Sequence, residues 1–299
     1  WMMAAAAAAG ALIGRICYEC RHFTTEYYDV ASDKIPEAFE GFRFVVLSDL
    51  HNYDFDQGNR QLLRAIEHLK PDAVMIAGDM IDAHPGADMS AAVRMVRDLC
   101  DRWPVYFGNG NHEQRIALYP ETYGDMHARW CKAIRHPNLH LLRNQHTVIR
   151  KDGAYINIYG LELNRTYYKR FRKVPMKKWY LTEQLGICDR KAFNLLLAHN
   201  PLYFDEYADW GADLVLSGHV HGGVVILPFL GGVISPQVRL FPEYYGNLFS
   251  WQKRDDSEPW TAHAQFSYSI VQYARAVMCH TASFLKKMID RNAGRCHNR

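Results

Sequence analysis

The sequence predicts an α/β domain in which two mixed sheets pack face to face with helices outside. Two observations carry this reading. Between residues 42 and 111, short apolar, β-branched runs alternate with helical spacing. Beyond about residue 135, apolar runs follow one another with no full helix between most of them.

Arg43–Leu47 reads as a buried strand that ends in Ser48-Asp49. Helical spacing follows from Asn59 to Leu69 through Leu62, Leu63, Ile66 and Leu69, with Asn59 as a candidate N-cap and Pro71 as the stop. Ala73–Ala77 is a second buried strand, closed by Gly78-Asp79, and Ser90–Leu99 a second helix. Val105–Phe107 is a third strand, running into Gly108-Asn109-Gly110-Asn111. Continuously apolar strands of this kind belong to a sheet covered on both faces, with right-handed crossovers. Leu139–Leu142, Thr147–Ile149 and Tyr155–Tyr159 are further strands, with Asp152-Gly153 as a hairpin turn. Asn194–Ala198 and Leu214–Ser217 complete the set, separated by a helical stretch from Tyr203 to Trp210.

With 299 residues, 48% of them hydrophobic and 22% charged, the chain can bury a sizeable core and is not of disordered type. A net charge of +3 without a Lys/Arg run or a basic, aromatic-laced stripe gives no case for a nucleic-acid partner. The seven cysteines are odd in number, and Cys17-x-x-Cys20 has no second pair to complete a zinc site, so unpaired thiols in a reducing compartment are expected. Met2 to Gly14 is apolar and Ala-rich, short of the ~20 residues that span a bilayer, and lacks the basic start of a signal peptide. It reads as a clipped membrane anchor, ahead of a degenerate signal segment or a frayed helix. Residues 1–40 are thus expected to be leader and linker, and the location membrane-associated or cytoplasmic.

The chemistry lies where strands stop. Five strand ends carry polar residues: Asp49-Leu-His51, Gly78-Asp79-Met-Ile-Asp82, Gly110-Asn111-His112-Glu113, Ala198-His199-Asn200 and Gly218-His219-Val-His221. Ligands of open α/β sheets bind beyond the carboxyl ends of strands. A set mixing carboxylate, amide and imidazole suits Mn, Fe or Zn. In an extended segment residues i and i+2 point the same way, so Asp49 and His51 are expected to meet one ion, and His219 and His221 adjacent ions. The glycines at 78, 110, 218 and 222 are expected to turn the chain and leave room for a phosphate. A lone histidine after a strand is usually structural, and His68, His127, His136, His140 and His146 take that reading. The argument is the conjunction of five motifs, each closing an apolar strand.

Together with Ser48, Asn52, Pro201, Ser217 and Gly223, which extend these motifs, the set resembles the calcineurin-like metallophosphoesterases, most of all their bacterial, membrane-anchored branch, over about residues 40 to 250. The resemblance implies a four-layer α/β/β/α sandwich and a two-ion centre. Asp49, His51 and His221 would hold the first metal and Asp79 would bridge. Asn111, His199 and His219 would hold the second. His112 would stand outside the ions as electrostatic stabiliser or general acid, with Asp82 and Glu113 orienting the ligands. Two cations about 3.5–4 Å apart clamp phosphoryl oxygens and generate a hydroxide near neutral pH. The expected activity is therefore hydrolysis of phosphomonoesters or phosphodiesters. The alternative, a scaffold that keeps the fold without the chemistry, should have lost ligands, and none of the seven is replaced.

The resemblance breaks after Tyr244-Tyr245-Gly246, where a glycine-rich strand, an Arg-bearing loop and a final strand would follow. A reading-frame shift near residue 250 is expected, leaving residues 251–299 atypical and one sheet short of an edge. Weak helical spacing runs from Ser269 to Lys287 through Ile270, Tyr273, Val277 and Phe284. A basic, aromatic insertion, Tyr167 to Lys173 followed by Lys177-Lys178-Trp179-Tyr180, is expected either as a solvated loop or as a face for a lipid headgroup or nucleotide-like substrate.

Overall fold

The central strands of the computed structural model divide their side chains between two layers. Phe44 and Val46 face one way and Val45 and Leu47 the other, and Ala73 and Met75 are likewise opposed to Val74 and Ile76. The structure describes residues 22–169 and 172–220, the strand segments 225–227, 231–234 and 267–272, and Gly10, Gly14 and Tyr18. The expected membrane remnant falls almost wholly outside the described residues, among which no helix is long and apolar enough to cross a membrane.

In chain order the strands are β1 (Thr24–Asp29), β2 (Arg43–Leu47), β3 (Ala73–Ile76), β4 (Val105–Gly108), β5 (Leu139–Leu142), β6 (Gln145–Lys151), β7 (Ala154–Leu161), β8 (Asn194–Ala198), β9 (Leu214–Leu216), β10 (Val225–Leu227), β11 (Gly231–Ile234) and β12 (Ser267–Gln272). The helices are α1 (Arg60–Leu69), α2 (Ser90–Cys100), α3 (Asn111–Leu118), α4 (Pro120–Tyr123), α5 (Met126–Ile134), α6 (Tyr180–Leu185) and α7 (Phe204–Trp210). One sheet has the order β1-β12-β2-β3-β4-β5 and the other β6-β7-β8-β9, with β10-β11 a separate pair. β2 to β5 run parallel, as do β7, β8 and β9.

Three cores make the four layers. Val45, Val74, Ile76 and Phe107 pack under Leu62, Ile66, Met95 and Trp130 of the first helical layer. Phe44, Met75 and Tyr106 meet Ile156, Ile158, Leu195 and Leu216 between the sheets. Tyr159, Leu161 and Leu196 pack under Leu181, Tyr203, Tyr207 and Trp210 of the outer helices. The architecture is the expected α/β/β/α sandwich of two sheets flanked by helices.

Three expectations change. The helices α3, α4 and α5 follow β4 directly, where the sequence reading had only a polar motif. Asn59 sits at the start of α1 but makes no side-chain cap, because it adopts a left-handed conformation with φ 58°. Its buried amide instead donates to Tyr53 O and accepts from Phe55 N, knotting the loop before the helix. Asn59→Ala is expected to strand these groups and lower stability by about 1–3 kcal/mol, read by denaturant unfolding. Ser269–Gln272 is strand, not helix: β12 lies between β1 and β2, antiparallel to the first and parallel to the second. Neighbours on both sides give a Ser-Tyr-Ser-Ile-Val-Gln segment more backbone pairing than weak helical spacing supplies. The atypical tail therefore supplies a strand inside the sheet, between β1 and β2; the remainder of the helical stretch, from Tyr273 to Lys287, lies outside the described residues.

Candidate metal centre

The parallel strands β2, β3, β4, β8 and β9 end on one edge of the sandwich, and their loops bring the polar motifs together. Asp49 and Asp79 are the anionic pair, 7% and 1% exposed. The Asp79 backbone N–H and its neighbours are held from below by Glu113, whose carboxylate accepts from Asp79 N and Gly110 N at 2.9 Å each and from Ile81 N at 3.2 Å. Asp79 Oδ1 accepts the His112 N–H at 2.8 Å, leaving Oδ2 to the imidazoles. His199 Nε2 lies 2.9 Å from it, and His51 Nε2 and His112 Nε2 lie 3.9 Å away. Asp49 Oδ1 stands 3.7 Å from His199 Nε2 and 3.8 Å from His51 Nε2. Donor atoms of Asp79, His199 and His219 fall within 4.8 Å of one another, as do those of His51, Asp79 and His112.

Two close approaches make this possible. Gly78 has φ 92°, and a Cβ there would overlap the Gly110 backbone. A Cβ at Gly110 would overlap the Asp79 carboxylate and backbone N. Gly110 itself has φ −91°, so it serves proximity and not a turn.

The convergence of Asp49 and His51 does not come from extended spacing. Both residues are left-handed, with φ 56° and 47°, and His219 has φ 69°. A tight loop, with Asp49 N and His51 N donating to Gly78 O and Asp79 O, does the gathering. His219 N in turn donates to both Asp49 oxygens at 3.0 and 3.1 Å. His221 lies outside the described residues.

Burial pushes the Asp79 carboxyl upward, but His199, His112 and His51 together hold it well below the usual carboxylate range. For His199 burial favours the neutral ring, yet Asp79 and Asp49 raise it to about 10. Burial and the Asp79 charge push Glu113 up to about 7 against its backbone hydrogen bonds. A histidine raised from 6.5 to about 10 contributes stability that is fully present below pH 6.5 and lost as pH rises through 10. EDTA-treated protein is therefore expected to lose thermal stability across that window. A cation bound there takes over the work of the proton, so metal addition at pH 8 is expected to release a proton and flatten the melting profile.

The residues present fit a metal. The donors mix carboxylate, imidazole and amide, and Asn111 Oδ1 is buried with no hydrogen-bond partner. His199 Nδ1 lies 2.6 Å from Ala77 O, which fixes its proton there and turns Nε2 toward the carboxylates. Asp82 Oδ1 stands 3.1 Å from His112 Nδ1, so Asp82 touches the candidate ligand shell through His112. The five histidines read as structural make contacts away from the carboxylate pair. His68 meets Arg64 O, His127 the Cys131 thiol and His136 Asp101, while His140 and His146 stack on Tyr106 and Tyr159.

Sequence reasoning missed Glu162, which accepts from Asn109 Nδ2 at 2.7 Å and pairs with Arg143 at 3.0 Å, tying the β4 loop to the second sheet. Its signal was available, since it closes the apolar strand β7 as the other motifs close theirs. It placed Tyr168 in the basic, aromatic insertion and not at the centre, where its ring stands 5.1 Å from His219 and 6.4 Å from His199.

A family model described as calcineurin-like phosphoesterase matches residues 42–223. The chain is 29% identical over 221 residues to YkuE of Bacillus subtilis, called an uncharacterized metallophosphoesterase, covering 71% of this chain and 69% of that one. It is 28% identical to a transmembrane protein with metallophosphoesterase domain of Danio rerio, over 68% of this chain but only 46% of the relative. It is 24% identical to the phosphodiesterase YaeI of Escherichia coli, over 65% of this chain and 66% of that one. The chain thus spans from under half to about two thirds of these relatives. The strand-end motifs, the gathered carboxylates and imidazoles and the matched span agree: the chain belongs to the calcineurin-like phosphoesterase family.

Proposed function

We propose that the protein is a metal-dependent hydrolase of phosphate esters, with a centre of two ions. Asp49, His51 and His221 would hold one ion, Asp79 would bridge, and Asn111, His199 and His219 would hold the other. The observation that carries the reading is the pair of buried carboxylates faced by imidazoles within 4 Å, with His199 Nε2 2.9 Å from Asp79. Bound there, divalent cations supply Lewis acidity toward a phosphoryl group and toward water.

The chain's own residues supply the rest. Asp79, kept ionised, and the oriented His199 hold the site in a ligand-ready form. Ala83 N donates to His112 Nδ1 at 2.8 Å, so the neutral ring carries its proton on Nε2, the atom that faces Asp79. From there it would donate a hydrogen bond to a departing ester oxygen. Asp82 beside Nδ1 favours the charged ring, whereas burial, the larger effect, holds His112 below the ordinary histidine value. His112 is thereby suited to stabilise charge on that oxygen as a neutral hydrogen-bond donor.

The family motifs, the metal-fitting donors and a relative named as a phosphodiesterase support diesters among the substrates. A lipid or envelope-linked substrate is the finer proposal. It rests on Trp179, 56% exposed beneath the Lys177 ammonium, and on Ile187, 89% exposed.

The test is hydrolysis of bis-p-nitrophenyl phosphate and of glycerophosphodiester lipids in vesicles, with Mn²⁺ and with EDTA. Metal-dependent turnover is expected. Folded, metal-loaded protein that turns over no phosphate ester leaves the scaffold reading in its place.

A further inference from the structure

We infer that Arg165 and Tyr168 form a subsite for a phosphate oxygen at the edge of the metal centre, taking a substrate oxyanion that the ions leave free. The inference rests on the phosphoesterase reading and adds to it residues outside the family motifs.

The local fold sets the pair up. Asn164 accepts from Thr166 N at 2.9 Å and opens a short 3-10 turn, Arg165–Tyr168. Three residues per turn place positions 165 and 168 on one side. Tyr167 takes the other side. It packs edge-on against Tyr180 and Tyr203 at 4.8 and 5.1 Å, and its carbonyl accepts from Asn200 Nδ2 at 3.0 Å. The turn is thus pinned to the residue that follows His199. Tyr168 is left against the centre, its ring edge-on to that of His219.

Both members lack partners. Among the described residues Arg165 makes no ion pair or hydrogen bond, and its Nη1 is buried without one. The neighbouring acid does not serve it, because Glu162 is engaged by Asn109 and Arg143. Tyr168 has no hydrogen bond from its hydroxyl among the described residues. A buried guanidinium nitrogen without an acceptor is costly, and the planar fork it belongs to matches phosphate oxygens. A phenol O–H beside it is a second donor to the same oxygen. Among the described residues neither member of the pair braces a candidate ligand through a hydrogen bond.

The test uses the full chain loaded with Mn²⁺ and inorganic phosphate as probe. Its Kd is read by calorimetry, its inhibition constant against bis-p-nitrophenyl phosphate hydrolysis, and the metal content by elemental analysis. Arg165→Gln is expected to weaken phosphate about tenfold, about 1.4 kcal/mol, with metal content unchanged. Arg165→Lys, which keeps the charge without the fork, is expected to fall between that variant and the wild type, and Tyr168→Phe to weaken phosphate severalfold. The two lesser variants carry the test if Arg165→Gln does not fold. Folded, metal-replete variants that bind phosphate within twofold of the wild type overturn the subsite. A wild type that binds phosphate through Arg165 yet cleaves no ester upholds the subsite and overturns the hydrolase reading.

Discussion

Asp79→Asn is expected to abolish metal-dependent turnover and to strip the protein of metal, a larger effect than the roughly 10–100-fold that loss of an outer-shell partner costs. The carboxylate is 1% exposed and stands between three imidazoles, so no water replaces its charge. The amide is nearly isosteric and can keep the acceptor for the His112 N–H. Geometry therefore survives while the charge does not. His199, raised to about 10 by Asp79 and Asp49, is left with half its counter-charge. Breaking a buried charge pair by removing one partner costs about 3–5 kcal/mol. The EDTA-treated variant should show that loss in urea unfolding at pH 7, shrinking as pH rises and His199 deprotonates. Elemental analysis and bis-p-nitrophenyl phosphate assays read the other two effects. Normal metal content in the variant would remove Asp79 from the bridging position.

Glu113→Ala is expected to be the most destabilising substitution outside the ligand set. Three buried N–H groups, those of Asp79, Ile81 and Gly110, converge on this carboxylate. Each orphaned donor costs about 1–3 kcal/mol, against a total stability of about 5–15 kcal/mol. The variant should lie close to its unfolding limit at 37 °C. Glu113→Gln retains one acceptor oxygen but turns an amide N–H₂ toward N–H donors, so an intermediate loss is expected. Thermal melts of the two variants check the order. A Glu113→Ala melting temperature matching the wild type would mean that the β3 and β4 loops are held by something else.

What the sequence disclosed follows from the reach of its signals. Apolar runs such as Arg43–Leu47 and Ala73–Ala77 are local patterns, and they placed the parallel strands and the polar ends that matter. Asn111 and His112 were legible as chemistry but not as the opening of α3, because the turn into that helix depends on Glu113 reaching across to Asp79 and Ile81, a contact between distant positions. Asp49 and His51 were paired for the wrong reason: left-handed backbone is imposed by tertiary hydrogen bonds to Gly78 and Asp79, which spacing does not encode. Tyr168 stood within a stretch noted for its charge and aromatic content. Its place beside His219 depends on a turn anchored through Asn200, on another strand end altogether.

Asp49, His51, Asp79 and His219 all carry φ between 47° and 69°, a region uncomfortable for any residue with a side chain beyond its backbone. Durability and reactivity are therefore set against each other at the two histidines. Glycine at either would ease the main chain by about 1–2 kcal/mol while deleting a donor, so drift toward a hardier molecule there leads away from a working one. A lineage released from the need for turnover should shed those imidazoles before Asp79, whose loss as the partner of His199 costs more than the backbone regains.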